Sequence, residues 1–85
     1  MIIRVHKKFL KNYNKLTKSQ KKKFKERRNL FISDEFNPVL NNHALTGEYK
    51  GLRSINISGD LRAIFRREKD SMLFVTLDKH SNLYG

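Results

Sequence analysis

An α+β fold of order β-α-α-β-β-β, with a helical hairpin packed on one face of a small, twisted, mainly antiparallel sheet, is predicted for these 85 residues by three observations. The first third carries apolar residues at helical spacing, interrupted once by a cap sequence. The C-terminal half holds β-rich runs whose side chains alternate with a period of two. Polar turns separate those runs. One domain spanning residues 1–85 follows, because a chain this short buries only about 60–65% of its unfolded surface. Such a domain has room for a shallow groove and not for a deep cavity.

Ile2 to Val5 is a short β-branched run and reads as the first strand. From Lys7, the spacing of Phe9, Tyr13 and Leu16, with Leu10 beside them, predicts an amphipathic helix. Thr17 stops it, and Thr17-x-x-Gln20 has the form of a capping box for a second helix over Lys18 to Ile32. Phe24, Leu30 and Phe31 point inward on that helix and its lysines outward. Ser33 to Asn42 is loop by composition, with Asp34, Asn37-Pro38 and Asn41-Asn42 as turn formers. Phe36, Val39 and Leu40 are expected to pin this loop to the core. Gly47 and Gly51 bracket Tyr49-Lys50, which suggests a tight approach before the next strand.

Three strands complete the order, over Leu52 to Ile57, Leu61 to Arg67 and Met72 to Leu77. The Ser58-Gly59-Asp60 turn joins the first two, and a polar turn over Glu68 to Ser71 joins the last two. Successive side chains of a strand point to opposite faces. If the apolar sets are buried together under the helices, the other face must carry Ser54, Asn56, Arg62, Arg66 and Thr76. The expectation is an uncovered, polar, basic sheet face. Arg53 falls by parity on the helix side.

Charge is segregated. Residues 1–32 contain 12 of the 19 Lys and Arg and a single acid, Glu26, whereas the remaining 7 basic residues are matched by 7 acidic ones. A net charge of +11 concentrated in this way favours a polyanionic partner over a merely solvated helix face. A membrane surface is disfavoured, because no broad apolar stripe opposes the basic one, and no run is long enough to span a bilayer. Arg4, His6 and Lys7 break the start before a signal-peptide core forms. The chain has no cysteine, which fits a reducing, cytoplasmic compartment and removes disulfides and thiolate metal sites.

The stretch His43 to Arg66, HALTGEYKGLRSINISGDLRAIFR, together with the closing HSNLYG, resembles the RelE/ParE toxin superfamily of type II toxin–antitoxin systems, most closely the YafQ-like mRNA interferases. The family's H-x-L-x-G-x-[WY]-K-G-x-R segment stands here as His43, Leu45, Gly47, Tyr49, Lys50, Gly51 and Arg53. Its turn aspartate corresponds to Asp60, and its terminal H-x-x-L-[FY]-G to His80, Leu83, Tyr84 and Gly85. The resemblance covers about half the chain. It implies a RelE-like fold, cleavage of mRNA on the 70S ribosome, contact with mRNA and rRNA, and inhibition by a cognate antitoxin protein. Two positions depart from it: Asn56 stands where YafQ-like enzymes carry a further histidine, and Thr76 where they carry an arginine. Arg62 resembles the strand arginine of the RelE and YoeB branches.

The implied chemistry suits these residue types. RNA supplies its own nucleophile, the 2′-hydroxyl, so the protein must remove one proton, donate another to the leaving 5′-oxygen and stabilise charge on phosphorus. No cofactor and no metal is needed. Histidine fits both proton roles because its unperturbed pKa of about 6.5 lies near neutral. His80 is the candidate general acid. His43 is open between general base, substrate orientation and a loop histidine bonded to backbone. His6 reads as structural. Asp60 either completes its turn, holds a histidine tautomer or itself accepts a proton. Arg62 is the candidate phosphate contact, favoured over a surface ion pair, and Tyr84 either stacks on a base, steadies His80 or fills the core. Lys50, Arg53, Asn56 and Arg66, with Lys7, Lys8, Lys11, Lys22 and Lys25, are candidate RNA-binding residues. A ParE-like inhibitor of DNA gyrase and a non-catalytic RNA- or ribosome-binding module are the alternatives.

Overall fold

The computed structural model describes residues 1–79. Strand β1 (Ile2–Val5) leads into helices α1 (Lys7–Asn14) and α2 (Lys18–Ser33), followed by strands β2 (His43–Ala44), β3 (Arg53–Ser58), β4 (Leu61–Arg67) and β5 (Ser71–Lys79). Single 3₁₀ turns at Pro38–Leu40 and Gly47–Tyr49 flank β2. The five strands form one sheet in the order β1-β5-β4-β3-β2. β1 runs parallel to β5 and every other pair is antiparallel. Both helices pack on one face.

The helix breaks where the sequence places a cap. The Thr17 hydroxyl accepts from the Gln20 N–H at 3.1 Å while the Gln20 side chain accepts from the Thr17 N–H at 2.9 Å. This reciprocal box satisfies two of the free donors at the start of α2. α1 is shorter than its periodicity suggests: the Lys15 and Leu16 N–H groups bond the Asn12 and Tyr13 carbonyls, closing a tight last turn. Leu16 still packs against the core. At the other end of α1, His6 Nδ1 accepts from the Lys8 N–H at 3.0 Å, so this histidine is the helix cap, as its structural reading requires.

Phe74 on β5 is the hub of the core. Its ring lies 5.5 Å from Phe9, 5.7 Å from Phe24, 5.9 Å from Phe31 and 6.0 Å from Phe65, tying both helices to both central strands. Aromatic pairs at this separation add about 0.5–1.5 kcal/mol each beyond area burial. Ile55, Ile57, Leu61, Ala63, Met72 and Leu77 complete the sheet's contribution.

Three expectations are corrected. The order gains a fifth strand, because His43 and Ala44 pair with Ser54 and Arg53. The face assignment on β5 is interrupted by a bulge: Ile64 pairs with Thr76 but Phe65 with Phe74, leaving Val75 unmatched. Phe74 and Leu77 therefore both reach the core, and the Thr76 hydroxyl accepts from the Asn12 amide of α1 at 2.9 Å. Thr76 is on the helix side and buried. Of the three apolar residues expected to pin the loop before β2 to the core, only Leu40 is buried, whereas Phe36 and Val39 are 63% and 50% exposed.

Candidate active site

The sheet register puts three of the candidate residues, His43, Asn56 and Arg62, in two adjacent rows on the face away from the helices. Asn56 on β3 pairs with Arg62 on β4, and Arg62 pairs with Asp78 on β5. Two residues along the strands, His43 on β2 pairs with Ser54 on β3, and Ser54 with Ile64 on β4. Strands about 4.8 Å apart with a rise of about 3.4 Å per residue place the His43 and Arg62 Cα atoms on the order of 12 Å apart. A dinucleotide step fits between two long side chains at that separation.

His43 is half-buried, and its Nδ1 lies 2.8 Å from the Asn41 carbonyl oxygen. A carbonyl only accepts, so Nδ1 carries the proton and Nε2 is the basic nitrogen of the neutral ring. Asn41 holds φ at +46° to deliver that carbonyl, a left-handed conformation that asparagine tolerates better than most residues. Two asparagines in the sequence signal the turn, and the contact is the backbone bond that one of the sequence readings of His43 expected.

Arg62 folds back on its own hairpin: Nη1 donates to the Gly59 carbonyl at 2.9 Å and to the Leu61 carbonyl at 3.3 Å. Both partners are neutral carbonyls, so a phosphate offers the guanidinium a stronger, charge-assisted replacement. Asp60 sits beside Gly59 in the two-residue turn, exposed, and no described residue bonds its carboxylate. Gly59 adopts φ +49°, as the first position of such a hairpin turn requires. Lys50 is exposed between the two glycines that bracket it. His80 and Tyr84 lie outside the described residues.

Much of the face is less open than alternation suggests. Ser54 is fully buried, as is Ile64, and Leu73 is 8% exposed. Ser54 Oγ and Asn56 Oδ1 are buried and find no partner among the described residues. Arg66 bonds Glu68 at 3.1 Å, and Arg4 bonds the other oxygen of the same carboxylate at 2.8 Å. The Arg66 hydrogen bond outweighs burial, the next-largest effect and an opposing one, and with the Ser71 hydroxyl and the Arg4 charge it holds the Glu68 carboxyl below its ordinary value.

Arg53 does not reach the sheet face. Its Nε donates to Asn42 Oδ1 at 2.9 Å, and its guanidinium lies 5.8 Å from the centre of the Phe36 ring. Lys7, Lys8, Lys11, Lys22 and Lys25 are exposed on the helices, across the sheet from His43 and Arg62. Lys18, Lys21, Lys22 and Lys25 line a common depression on α2. The candidate RNA-binding residues thus fall on two surfaces and not on one.

Comparison with known proteins places this architecture. The family model described as the bacterial toxin of type II toxin–antitoxin system, YafQ, matches residues 1–85. The crystal structure of YafQ from E. coli strain BL21(DE3) superposes with a TM-score of 0.81 at 22% identity, covering 98% of this chain and 97% of that one. The toxin in the E. coli DinJ-YafQ toxin-antitoxin complex gives 0.78 at 23% identity, covering 98% and 96%. A YoeB/ParE toxin from Agrobacterium tumefaciens gives 0.76 at 15% identity, covering 94% and 99%. These identities speak for the fold. No curated protein sequence matches the chain significantly.

Proposed function

We propose that this chain, which belongs to the YafQ family of bacterial toxins of type II toxin–antitoxin systems, is a metal-independent endoribonuclease that cuts mRNA on the translating ribosome. Its cognate antitoxin is a separate protein that binds and silences it, as the DinJ-YafQ assembly of the E. coli relative suggests. It works in the cytoplasm; no described helix is long and apolar enough to cross a membrane.

The observation that carries the reading is the placement of His43 and Arg62 on one sheet face, in neighbouring rows. In the proposed reaction His43 Nε2 takes the proton of the 2′-hydroxyl as its oxygen attacks the adjacent phosphorus. The bond from phosphorus to the 5′-oxygen breaks, and His80 donates the proton that this oxygen takes up. A 2′,3′-cyclic phosphate results, and water opens it to a 3′-phosphate. Arg62 leaves its two carbonyls for the phosphate, and Lys50 adds a second cation where charge develops. Asp60 supports a histidine from the turn, and Tyr84 stacks on a base. His80 and Tyr84 enter on the sequence motif alone. Asn56 cannot transfer a proton and therefore serves binding only, as does Arg66.

Induced expression with mapping of transcript ends tests the proposal. Growth arrest with cuts inside codons and cyclic or 3′-phosphate ends is expected, insensitive to EDTA. Intact mRNA with DNA-damage signalling would select gyrase inhibition, and binding without cutting or toxicity would select a non-catalytic module.

A further inference from the structure

The loop between α2 and β2 holds an aromatic ring in water. Phe36 is the most exposed large hydrophobic residue described, at 63%, yet the loop around it is extensively fastened. Asn37 Oδ1 accepts from the Val39 N–H at 3.0 Å, and its amide donates to Asp34 at 3.1 Å. The Asn42 amide donates to the Glu35 carbonyl at 3.3 Å, the Glu35 carboxylate pairs with Arg67, and Leu40 is fully buried. A loop so constrained presents Phe36 at little further entropic cost.

One side of the ring is already matched. The Arg53 guanidinium lies 5.8 Å from its centre and is fixed by Asn42 at 2.9 Å. Asn42 precedes His43 in the chain, so the ring, the cation and the histidine are linked by successive contacts at the β2 edge. β2 is the edge strand of the sheet and only two residues long, and its Ala44 pairs with Arg53, so the ring lies by that edge. An aromatic ring beside a fixed cation is the arrangement that holds unpaired bases without regard to sequence.

We propose that Phe36 is a stacking platform for a base of single-stranded RNA flanking the cleaved bond, with Arg53 as the cation that positions the ring. The inference rests on the ribonuclease reading above and names a contact outside its reacting atoms. RNA is favoured over a protein partner by the guanidinium at the ring, a cation that suits a phosphate next to the stacked base.

The chain has no tryptophan, so Phe36→Trp introduces a unique fluorophore. A 2′-O-methylated single-stranded RNA, which cannot be cut by its own 2′-hydroxyl, is the binding probe. Phe36→Trp emission should be quenched by that RNA, with affinity within a factor of two of the parent. Phe36→Ala and Phe36→Leu should each bind about tenfold more weakly, and on ribosome-bound message should raise KM by a similar factor with kcat little changed. Equal RNA binding by parent and Phe36→Ala overturns the platform, as does a Leu variant that behaves like Phe. Loss of antitoxin binding with unchanged RNA binding also overturns it and makes the loop a protein contact. A parent that neither binds nor cleaves RNA overturns the ribonuclease reading and the platform together. Unchanged melting temperatures confirm that the exposed position does not report on folding.

Discussion

The helix layer and the sheet carry their positive charge in different chemical forms and to different ends. On α1 and α2 the cations are mostly lysines, and among the described residues only Lys23 forms an ion pair, with Glu26 at 3.8 Å. Five arginines on the sheet are all engaged. Arg4 and Arg66 share Glu68, Arg67 holds Glu35, Arg53 holds Asn42, and Arg62 holds two carbonyls of its own turn. The planar guanidinium makes several directed bonds at little entropic loss, whereas the ammonium is a mobile, hydrated point charge. Directed bonds build the site's walls; mobile charges attract a polyanion from a distance. The two regions should therefore fail differently.

The sharpest contrast comes from the reacting groups. His43→Gln removes the proposed base while keeping a polar side chain at a half-buried position, and should lower cleavage by about 10²–10⁴-fold. The salt dependence of RNA binding should not change. A variant cutting at the parental rate removes His43 from the chemistry.

Charge reversal on the opposite surface should do the converse. With Lys22→Glu and Lys25→Glu, cleavage at saturating RNA stays close to parental while affinity falls. Each lost phosphate contact reduces the slope of log K against log salt by about 0.7–0.9. An unchanged slope would mean that these lysines do not touch nucleic acid, and the contrast between the layers would lose its functional half.

Arg53→Ala tests whether a sheet arginine acts through structure. It removes the bond to Asn42 and the cation beside Phe36. A loss of about 1.5–3 kcal/mol in unfolding free energy is expected, and Arg53→Lys should recover little of it, because an ammonium cannot match the fork geometry. A stable Arg53→Ala protein with weakened RNA binding would instead return Arg53 to the binding surface.

These particulars mark where sequence is legible. The α2 start is visible because Thr17 and Gln20 are local partners, and β4 because Leu61, Ala63 and Phe65 recur with a period of two, although Ile64 between them is buried as well. The family motif brings His43, Lys50 and Arg53 to attention, and parity assigns Arg62 to its face. Two-residue β2 has no period to read, and the extra Val75 leaves no mark in composition, so Thr76 was expected on the wrong face. Alternation tells on which side a residue lies and not what covers it, which is why Ser54 was expected in the open. Phe36 and Val39 look like core residues by type. Their loop is held by asparagine, glutamate and arginine bonds, and Leu40 alone fills the space available beneath it.

Acid should affect the sheet's ion cluster, which is built around the Glu68 carboxylate, before it affects the helix layer. The Glu68 carboxyl is held below its ordinary value chiefly by its hydrogen bond from Arg66. A depressed folded-state pKa means stability that is present above the unfolded-state value and lost as pH falls through the folded one. Unfolding measured from neutral to acid pH should show this loss in the parent and a flatter acid limb in Glu68→Gln. Identical acid limbs would show that the cluster contributes nothing.

The smallest expected effect separates structure from function at the boundary between the rows. Ser54 is fully exposed to neither water nor a partner: its hydroxyl is buried without a hydrogen bond among the described residues, directly across from His43. A buried hydroxyl left unpaired costs about 1–3 kcal/mol, so replacing it by hydrogen should be neutral or stabilising. Ser54→Ala is thus expected to melt at the parental temperature or, with about 1 kcal/mol of that cost recovered, up to about 8 °C above it, given roughly 4–8 °C per kcal/mol for a domain of this size. Its cleavage rate should stay within a factor of two, because Ser54 stands beside His43 without bonding it. A destabilised variant would mean that the hydroxyl is paired in solution. A stable variant that cleaves slowly would make Ser54 a working part of the face that His43 and Arg62 share.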